Sequence, residues 1–371
     1  MKLSIERAAL LRSLNHVQSV VERRNTIPIL SNVRMAAEDG VLSLAATDMD
    51  MEINESVAAN VSAPGATTAP AHTLHDIVRK LPDGSDVELE LNAEGTQMSV
   101  KAGRSNFKLS CLPVADFPEL GAADLPVNFT IPAADLRALI DRTKFAMSTE
   151  ETRYYLNGIY LHEAENEGVQ VLRAVATDGH RLARFEMPLP EGAAGMSGII
   201  IPRKLIGELR KLVDEAADTI TINLSESKIR LAFDHIVMSS KLIDGTFPDY
   251  QRVIPQGNDK IVEMDAKALT SAVDRVSTIS DGKSRAVKIA LAGKQMTISA
   301  SSAEAGSATE EVEVNGETDI EIGFNARYLL DITSQIEGEG CRFTLADPAS
   351  PTIIQDNSDP SALYVLMPLR V

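Results

Sequence analysis

The sequence repeats one short pattern three times: IERAAL at residues 5–10, IPAADL at 131–136 and MDAKAL at 264–269. After each hexapeptide, apolar residues recur at the three- and four-residue spacing of an amphipathic helix, and a stretch rich in strand formers follows. Self-similarity of this kind can decide an architecture before any single motif does. The repeats predict three similar domains in tandem, each with a strand that runs directly into a helix.

Each copy also has a second half that opens with a second short amphipathic helix. The predicted helical windows, two per copy, are 6–24 and 74–81, 133–144 and 203–213, and 266–285 and 325–337. Similar signals close the copies: Asp-Phe-Pro at 116–118, Thr-Phe-Pro at 246–248 and Leu-Met-Pro at 366–368. Turn-forming residues gather at 119–128 and 253–260, which are the candidate linkers. We therefore predict an α+β fold with domains at 1–125, 126–253 and 254–371, each with two helices packed on β-sheets.

Such domains leave strands with open edges, which are a pairing liability unless a neighbour covers them. Repeated domains in one chain can cover each other's edges in series, but the two ends of the series stay open. A second copy that binds head to tail can close the series of domains into a ring if the rotation from each domain to the next is right. The repeats are therefore compatible with a closed dimer of six domains.

Composition restricts the class of protein. The chain has 371 residues, of which 44% are hydrophobic and 24% charged, and these values exclude a disordered tail and a disulfide-built miniprotein. It has no apolar run of the length that crosses a bilayer and no signal-peptide core, so we expect it in the cytoplasm. Cys111 and Cys341 lack metal-like spacing, and we expect both to be buried small residues.

The formal net charge is −17, which argues against a protein that coats nucleic acid with its whole surface. In the predicted helices, however, Lys and Arg outnumber Asp and Glu, so the acidic excess lies on strands, turns and linkers. Surface charges further apart than about 8 Å are largely screened at physiological salt. A mildly basic layer of helices therefore suits a polyanion held through its phosphates without base reading.

Five further segments carry a family resemblance. They are TIPIL at 26–30, RYYLNG at 153–158, ATDGHRLA at 176–183, FPDYQRV at 247–253 and YVLMPLRV at 364–371. With them the chain resembles the β subunits of bacterial DNA polymerase III, the sliding-clamp family, over essentially its whole length. The resemblance implies a head-to-tail homodimer, a six-domain ring with helices inside and sheets outside, which encircles duplex DNA and slides on it.

The resemblance also implies that the protein is not an enzyme but a processivity subunit that needs no cofactor and no metal. Its implied partners are duplex DNA without sequence preference, a second copy of the chain, the polymerase III alpha subunit, an ATP-driven clamp loader, and other polymerases and repair proteins. The proteins would dock through short peptides in a groove between the second and third domains. A short peptide needs an apolar slot for Leu or Phe anchors and a few donors for its backbone.

Carried over by position, the resemblance implies three sets of site residues. The groove would use Leu156, Thr177, Gly179, His180, Arg181, Leu182, Pro248, Arg252, Val253, Val365, Met367, Pro368, Leu369 and Arg370. DNA contacts would come from Arg24, Tyr154, Arg203 and Lys204. At the dimer seam, Phe107 and Leu109 of the first domain would meet Ile279 of the third.

The chain departs from the family pattern at a few positions. Gln251 replaces a frequent Arg, Ser284 stands where a groove-flanking aromatic can occur, and His72 stands where a basic residue can lie. The chain ends Leu-Arg-Val rather than Met-Arg-Leu. These departures leave the peptide preference of the groove open.

Two other classes of function stay open from the sequence. The motifs of phosphate-binding loops, dinucleotide folds, zinc proteases and serine hydrolases are absent. Asp48, Asp50 and Glu52 alternate as on a strand and would share one face, so a hydrolase or metal-dependent enzyme is conceivable. His72 and His75 lie one helical turn apart, but without a third ligand we expect surface residues. A repeat scaffold that binds peptides and never DNA is the other alternative.

Overall fold

In the computed structural model of the protein, the described residues are 1–121, 123–280 and 285–370. They form two compact units, which are described separately. The first consists of Met1–Leu136, Pro190–Ala193 and Gly207–Leu242, and the second consists of Arg137–Leu189, Ala194–Ile206 and the described part of Ile243–Val371.

The described residues contain six α-helices, one at each predicted window. They are α1 (Arg7–Gln18), α2 (Ala71–Lys80), α3 (Ala133–Thr143), α4 (Arg203–Leu212), α5 (Ala266–Ser277) and α6 (Ala326–Thr333).

The strands repeat the same order in each copy, except that the first copy has five strands between its two helices and the others have four. The first copy contains β1 (Lys2–Glu6), β2 (Asn32–Glu38), β3 (Val41–Thr47), β4 (Met51–Ala58), β5 (Asn60–Ala63), β6 (Gly65–Pro70), β7 (Asp86–Leu91), β8 (Gln97–Ala102) and β9 (Ser105–Ser110). The second contains β10 (Val127–Pro132), β11 (Gly158–Asn166), β12 (Val169–Thr177), β13 (Arg181–Pro188), β14 (Ile199–Pro202), β15 (Thr219–Leu224), β16 (Lys228–Phe233) and β17 (Ile236–Lys241). The third contains β18 (Lys260–Asp265), β19 (Ala286–Ala292), β20 (Gln295–Ser302), β21 (Gly306–Asn315), β22 (Ile320–Asn325), β23 (Gly340–Leu345), β24 (Thr352–Asp356) and β25 (Ala362–Leu366).

The repeated hexapeptides form a strand that runs into a helix, as predicted. Strands β1, β10 and β18 are followed at once by α1, α3 and α5. Helix α5 is capped by Asp265, whose side chain accepts a hydrogen bond from the backbone N–H of Ala268 at 2.6 Å. The apolar positions Leu10, Leu14 and Val17 of α1 are fully buried. The helical spacing in the sequence therefore marks the faces that pack on the sheets.

Three predicted helices were too long. Helix α1 ends at Gln18 rather than at residue 24, α5 ends at Ser277 rather than at 285, and α6 ends at Thr333 rather than at 337. Beyond α1, Ser19 Oγ donates to the His16 carbonyl at 2.6 Å. Beyond α5, Thr278 Oγ1 donates to the Asp274 carbonyl at 3.3 Å. Hydroxyls that bond to last-turn carbonyls compete with continuation of the helix.

The first unit contains two antiparallel sheets. One has five strands in the order β5-β1-β7-β8-β9, and the other has eight in the order β10-β15-β16-β17-β4-β3-β2-β6. In the larger sheet β4 pairs with β17, in a register that runs from Glu55 opposite Ile236 to Met51 opposite Ser240. We call this pairing the first junction, because it joins the first copy to the second.

The second unit contains one sheet of twelve strands, in the order β14-β11-β12-β13-β25-β24-β23-β18-β21-β20-β19-β22. Here β13 pairs with β25, with Arg181 opposite Leu366 and Phe185 opposite Ala362. We call this the second junction, because it joins the second copy to the third. The prediction that neighbouring copies cover each other's strand edges is thus confirmed at both junctions.

A buried polar network lies beside the first junction. His16 of α1 is 6% exposed, and its Nδ1 lies 2.7 Å from Glu55 Oε2 while its Nε2 lies 3.2 Å from Glu215 Oε1. Ser13 Oγ donates to the other Glu55 oxygen at 2.7 Å. Burial lowers the pKa of His16, but the two carboxylates outweigh burial and leave the pKa raised.

Arg142 has the same position in α3 that His16 has in α1, the tenth residue of the helix. Its guanidinium donates to the Gln335 carbonyl, and Nη2 lies 3.1 Å from Glu337 Oε2. Both junctions therefore have a cation on the first helix of one copy that contacts an acid after the second helix of the next. At the second junction the cation is permanent, whereas at the first it can lose its proton.

Candidate functional site

The turn between β12 and β13 contains the predicted groove residues Thr177, Gly179, His180 and Arg181. Thr177 Oγ1 accepts a hydrogen bond from Gly179 N at 3.1 Å and donates to the Arg181 carbonyl at 2.7 Å. Asp178 Oδ1 accepts from His180 N at 2.9 Å and from Arg181 N at 3.0 Å. The turn is therefore held by its own short polar side chains, which satisfy the backbone locally.

Gly179 is required at the tip of this turn. Its φ of +88° is one that residues with a side chain rarely adopt, and a Cβ there would lie 2.7 Å from Arg153 Nη1. Next to it the exposed ring of His180 stacks on Tyr328, with centroids 6.1 Å apart. The turn thus presents one imidazole on a fixed backbone.

Arg181 anchors the turn rather than facing solvent, as an isolated strand-end Arg would. Its Nε lies 3.1 Å from Asp178 Oδ2, and Nη1 donates to Asp331 Oδ2 at 2.5 Å. Nη2 donates to the Phe145 carbonyl at 2.6 Å, and the guanidinium lies 4.4 Å from the centroid of the Tyr328 ring. Sequence reasoning missed Phe145, Tyr328 and Asp331, because the contacts join residues far apart in the chain.

The first junction contains the same turn. Thr47 Oγ1 donates to the Met51 carbonyl at 2.8 Å, and Asp48 Oδ1 accepts from the backbone N–H groups of Asp50 and Met51. The strand pairings that follow the two turns also begin in the same way. Lys241 N donates to the Asp50 carbonyl at 2.8 Å, and Met367 N donates to the His180 carbonyl at 2.9 Å. The repeated Ala-Thr-Asp sequence thus encodes one backbone turn twice.

This turn shows that the predicted acidic strand face is wrong. Asp48 and Asp50 lie in the turn, and of the three acids only Glu52 lies on β4. Asp50 forms an ion pair with Lys241 at 3.0 Å, and Glu52 Oε2 accepts from Leu120 N at 3.3 Å. Within residues 1–121, 123–280 and 285–370, no group of three or more His, Cys, Asp or Glu side chains is placed to hold a metal.

The apolar members of the predicted groove form one cluster beside the turn. Leu156, Leu182 and Val365 are buried together with Phe247 and Tyr250. The exposed members Pro248, Arg252 and Val253 lie on the loop that contains Phe247 and Tyr250. The structure therefore brings these predicted residues together as an apolar floor and an exposed loop wall.

The C-terminal segment is attached on two sides. Met367 N bonds to the His180 carbonyl, and Leu369 N donates to the Gly323 carbonyl at 2.8 Å. Met367, Pro368 and Leu369 are half-buried, and Arg370 is exposed. Val371 lies outside the described residues, as does Ser284. The tail is thus fixed beside the turn with part of each apolar side chain accessible.

The first junction has the backbone of the groove but not its side chains. Glu52 follows Thr47 at the same spacing as Leu182 follows Thr177, so Glu52 takes the place of Leu182. Likewise, Leu120 follows Phe117 as Tyr250 follows Phe247, so Leu120 takes the place of Tyr250. Lys228 Nζ donates to the Leu120 carbonyl at 3.0 Å and so binds the linker itself. A cleft of about 380 Å³ there has charged residues in its lining, including Arg34 and Arg230, beside apolar ones such as Phe117 and Leu125. Glu52 thus stands where the groove has the apolar Leu182.

Two of the predicted DNA contacts are exposed. Arg24 lies in the loop after α1, and Tyr154 is 53% exposed, with its ring edge-on to that of Tyr155 at 5.7 Å. Both side chains are accessible to a ligand in solution. Arg24 belongs to the first unit and Tyr154 to the second.

The other two predicted DNA contacts open helix α4 and are only partly accessible. Arg203 Nη2 donates to the carbonyls of Met147 at 2.8 Å and Ser148 at 2.6 Å, and burial lowers the pKa of its guanidinium. Lys204 is half-buried. Arg203 thus holds the 147–148 loop, a task that its position at a helix start did not reveal.

The predicted seam residues differ in exposure. Phe107 is 38% exposed on β9, the edge strand of its sheet, whereas Leu109 is buried in its own unit. Ile279 is half-buried just after α5. In a single copy, Phe107 therefore offers the largest apolar surface of the three.

The remaining candidates have structural roles. Both ring nitrogens of His72 have partners at hydrogen-bond distance, Gln18 Oε1 at 2.8 Å and the Val21 carbonyl at 3.0 Å. His75 Nε2 lies 2.7 Å from Asn15 Oδ1. These contacts join α2 to α1 and its end, and both side chains are half-buried. Cys111 and Cys341 are buried and unpaired, which confirms the expectation that both are buried small residues.

Among the helices of the described residues, none is long and apolar enough to cross a membrane.

Comparisons with known proteins cover the whole chain. Three domains of the DNA polymerase III beta subunit match it: the N-terminal domain at residues 1–121, the central domain at 130–249 and the C-terminal domain at 251–370. The beta sliding clamp of Caulobacter vibrioides is 54% identical, and that of Escherichia coli is 40% identical, each with 100% of both chains covered. A crystal structure of a Bartonella birtlesii sliding clamp bound to griselimycin is similar with a TM-score of 0.97, 49% identity and 100% coverage of both chains.

Proposed function

The chain belongs to the DNA polymerase III beta subunit family and has the role of a DNA sliding clamp, and we propose that it fills this role as a ring-shaped, head-to-tail homodimer around duplex DNA. It tethers the polymerase III alpha subunit and other replication and repair proteins through the groove at the second junction. Its action is topological rather than catalytic, and it takes place in the cytoplasm. We place the domain boundaries of each copy near residues 125 and 253.

Two unpaired strand edges carry the dimer proposal. In the described residues β9 is the last strand of its sheet, and β21 pairs with β18 only at Val314 and Asn315. The free edges would pair between copies, since an exposed edge is a template for strand addition. Their charges are complementary, because the exposed Lys108 lies on β9 and the exposed Glu311 lies on β21.

DNA is held weakly in this proposal, through phosphates. Arg24, Tyr154, Arg203 and Lys204 are the expected contacts, and a few such contacts confer no sequence preference. Many strong phosphate contacts would oppose sliding. A tethered polymerase that releases the primer end stays at a millimolar-order effective concentration, so rebinding competes with loss.

The groove is proposed for short partner peptides with apolar anchors. Leu156, Leu182 and Val365 belong to the apolar cluster beneath it, and the half-buried side chains of Met367 and Leu369 are accessible for apolar contact. Griselimycin, which the Bartonella birtlesii relative binds, is a candidate competitor for the same surface.

The decisive experiment uses topology. The chain is loaded by a clamp loader with ATP onto a nicked circular duplex, and the complex is isolated by gel filtration. We expect retention on the circle and release after the circle is cut with a restriction enzyme. Equal retention on circular and linear DNA would contradict the ring, and no retention on either would favour the peptide-binding scaffold. A solution mass of one chain at working concentration would also overturn the proposal.

A further inference from the structure

The loop wall of the groove, residues 247–253, has local backbone hydrogen bonds. Arg252 N donates to the Asp249 carbonyl at 3.3 Å, and Val253 N donates to the Tyr250 carbonyl at 3.0 Å. Arg252 also pairs with Asp249, at 2.8 Å. None of these contacts ties the loop to the sheet. The position of the wall must therefore come from the buried side chains of the loop, Phe247 and Tyr250.

Both side chains dock on β11, Phe247 at Tyr160 and Tyr250 at His162. The ring of Phe247 stacks on Tyr160 with centroids 4.8 Å apart and planes 8° apart, and Tyr160 stacks in turn on His162 at 4.6 Å. The hydroxyl of Tyr250 lies 3.0 Å from His162 Nε2 and 2.8 Å from Arg173 Nη1. His162 thus contacts the hydroxyl of one loop residue and supports the ring that holds the other.

The donors and acceptors fix the proton positions in this site. His162 Nδ1 lies 2.7 Å from the Glu163 carbonyl, which can only accept, so Nδ1 carries the hydrogen. Arg173 can only donate, so the Tyr250 oxygen accepts from Arg173 and its own hydrogen goes to His162 Nε2. The neutral imidazole with its hydrogen on Nδ1 is the form that satisfies every atom.

Arg173 is itself held in place. Its Nε donates to Glu186 Oε1 at 2.6 Å, and both side chains are buried. Asn166 Nδ2 donates to the other Glu186 oxygen at 2.8 Å. A buried, fully bonded ion pair has little freedom to move, so it offers Tyr250 a rigid donor.

We propose that His162 and Arg173 are positioning residues of the groove: by fixing the Tyr250 hydroxyl they hold Pro248, Arg252 and Val253 where a bound peptide needs them. This inference rests on the proposed peptide-binding function. The first junction supports it, since Leu120 replaces Tyr250 there and the linker is held through its carbonyls by Lys228. The hydroxyl network belongs to the junction that has the groove.

The arrangement makes peptide binding sensitive to pH. The charged and titratable groups around His162 are Tyr160 and Glu163 on β11, Arg173 on β12, Arg184 and Glu186 on β13, and Tyr250 on the loop. Burial lowers the pKa of His162, and the charge of Arg173 lowers it further. Protonation in acid would place a second donor against the Tyr250 hydroxyl and displace its hydrogen bond. The pKa of His162 is lowered, so affinity should fall only at pH values below about 6.5, the ordinary pKa of His.

The test measures the affinity of the full chain for a fluorescein-labelled synthetic peptide with adjacent Leu and Phe residues, by fluorescence anisotropy. We expect Tyr250→Phe and His162→Leu to weaken binding about fivefold at pH 7.5, which corresponds to the loss of about one hydrogen bond. His162→Gln, whose amide oxygen can accept from Tyr250, should bind within about twofold of the wild type. It should also lose the fall in affinity between pH 7.5 and 5.5.

The control is His235→Leu, which removes an exposed imidazole from the first unit and should leave the affinity and its pH profile unchanged. Unchanged affinity in Tyr250→Phe and His162→Leu would overturn the inference. So would a pH profile of His162→Gln that matches the wild type. If the wild-type chain does not bind the peptide, the proposed peptide-binding function of the groove is refuted, and this inference is refuted with it.

Discussion

Replacement of His16 by Leu tests whether the buried network at the first junction stabilises the chain through charge. The change leaves Glu55, which is 7% exposed, with the Ser13 hydroxyl but without its cation. Removal of one partner from a buried ion pair costs about 3 kcal/mol or more, because the other charge stays buried. For a unit of this size that loss corresponds to a fall of roughly 6–12 °C in the melting temperature.

The direction of the pH dependence follows from the raised pKa of His16. A group whose pKa is raised by folding gives its full stabilisation below the unfolded-state value, about 6.5 for His, and loses it as the pH rises through the folded-state value. The stability gap between the wild type and His16→Leu should therefore be widest near pH 6 and should narrow toward pH 9.

Thermal unfolding followed by circular dichroism at both pH values measures this gap. Hydrogen exchange in the full chain shows whether the loss is local to α1 and residues 213–215. Arg142→Leu is the matched comparison, because Arg stays charged throughout and its penalty should be the same at pH 6 and pH 9. A gap for His16→Leu that does not change with pH, or one below about 0.5 kcal/mol, would refute the reasoning; surface substitutions alone reach that size.

Three further predictions concern the proposed surfaces. Deletion of residues 367–371 should abolish binding of the labelled peptide while the solution mass stays that of two chains, and unaltered peptide binding would contradict the role of the tail. Phe107→Asp should yield single chains in sedimentation, whereas Val169→Asp, at another exposed strand position with 60% exposure, should leave the dimer intact. Arg24→Glu should weaken binding of the chain to a linear duplex, without a loader, more at 50 mM than at 300 mM salt, because phosphate contacts are screened by salt; an equal effect at both would argue against a phosphate contact.

The fold could be predicted where the sequence is periodic. The three hexapeptides and the apolar spacing after them predicted α1, α3 and α5, because buried helix faces such as Leu10, Leu14 and Val17 recur at a regular spacing. The helix ends were less predictable. Ser19 and Thr278 end their helices through hydroxyl bonds to carbonyls, and these bonds depend on a local conformation that spacing does not reveal.

The acidic residues show how a period can mislead. Asp48, Asp50 and Glu52 alternate as on a strand, yet Asp48 uses its carboxylate to cap the turn before β4. The sequence did show that Ala-Thr-Asp occurs at both junctions. It did not show that the triplet begins a turn in which the Asp carboxylate accepts hydrogen bonds from the backbone N–H groups of the same turn.

The site was predictable as a set of positions but not as a set of contacts. Leu156, Leu182 and Val365 do lie together, although they are buried beneath the exposed loop. The ring of Tyr328 beside Arg181 and the bond between Tyr250 and His162 join distant segments of the chain. Nothing in local composition marks such pairs, so only the folded structure reveals what holds the groove in shape.

The strand ladders that cross both junctions have a mechanical consequence. At each junction five residue pairs lie in register, so backbone hydrogen bonds rather than side chains alone resist separation of neighbouring domains. A pull along the strands must shear the whole ladder at once. A polymerase that pulls on its tether would therefore act against these backbone hydrogen bonds, and the place where the proposed ring opens to admit DNA should be the weaker contact between the two molecules.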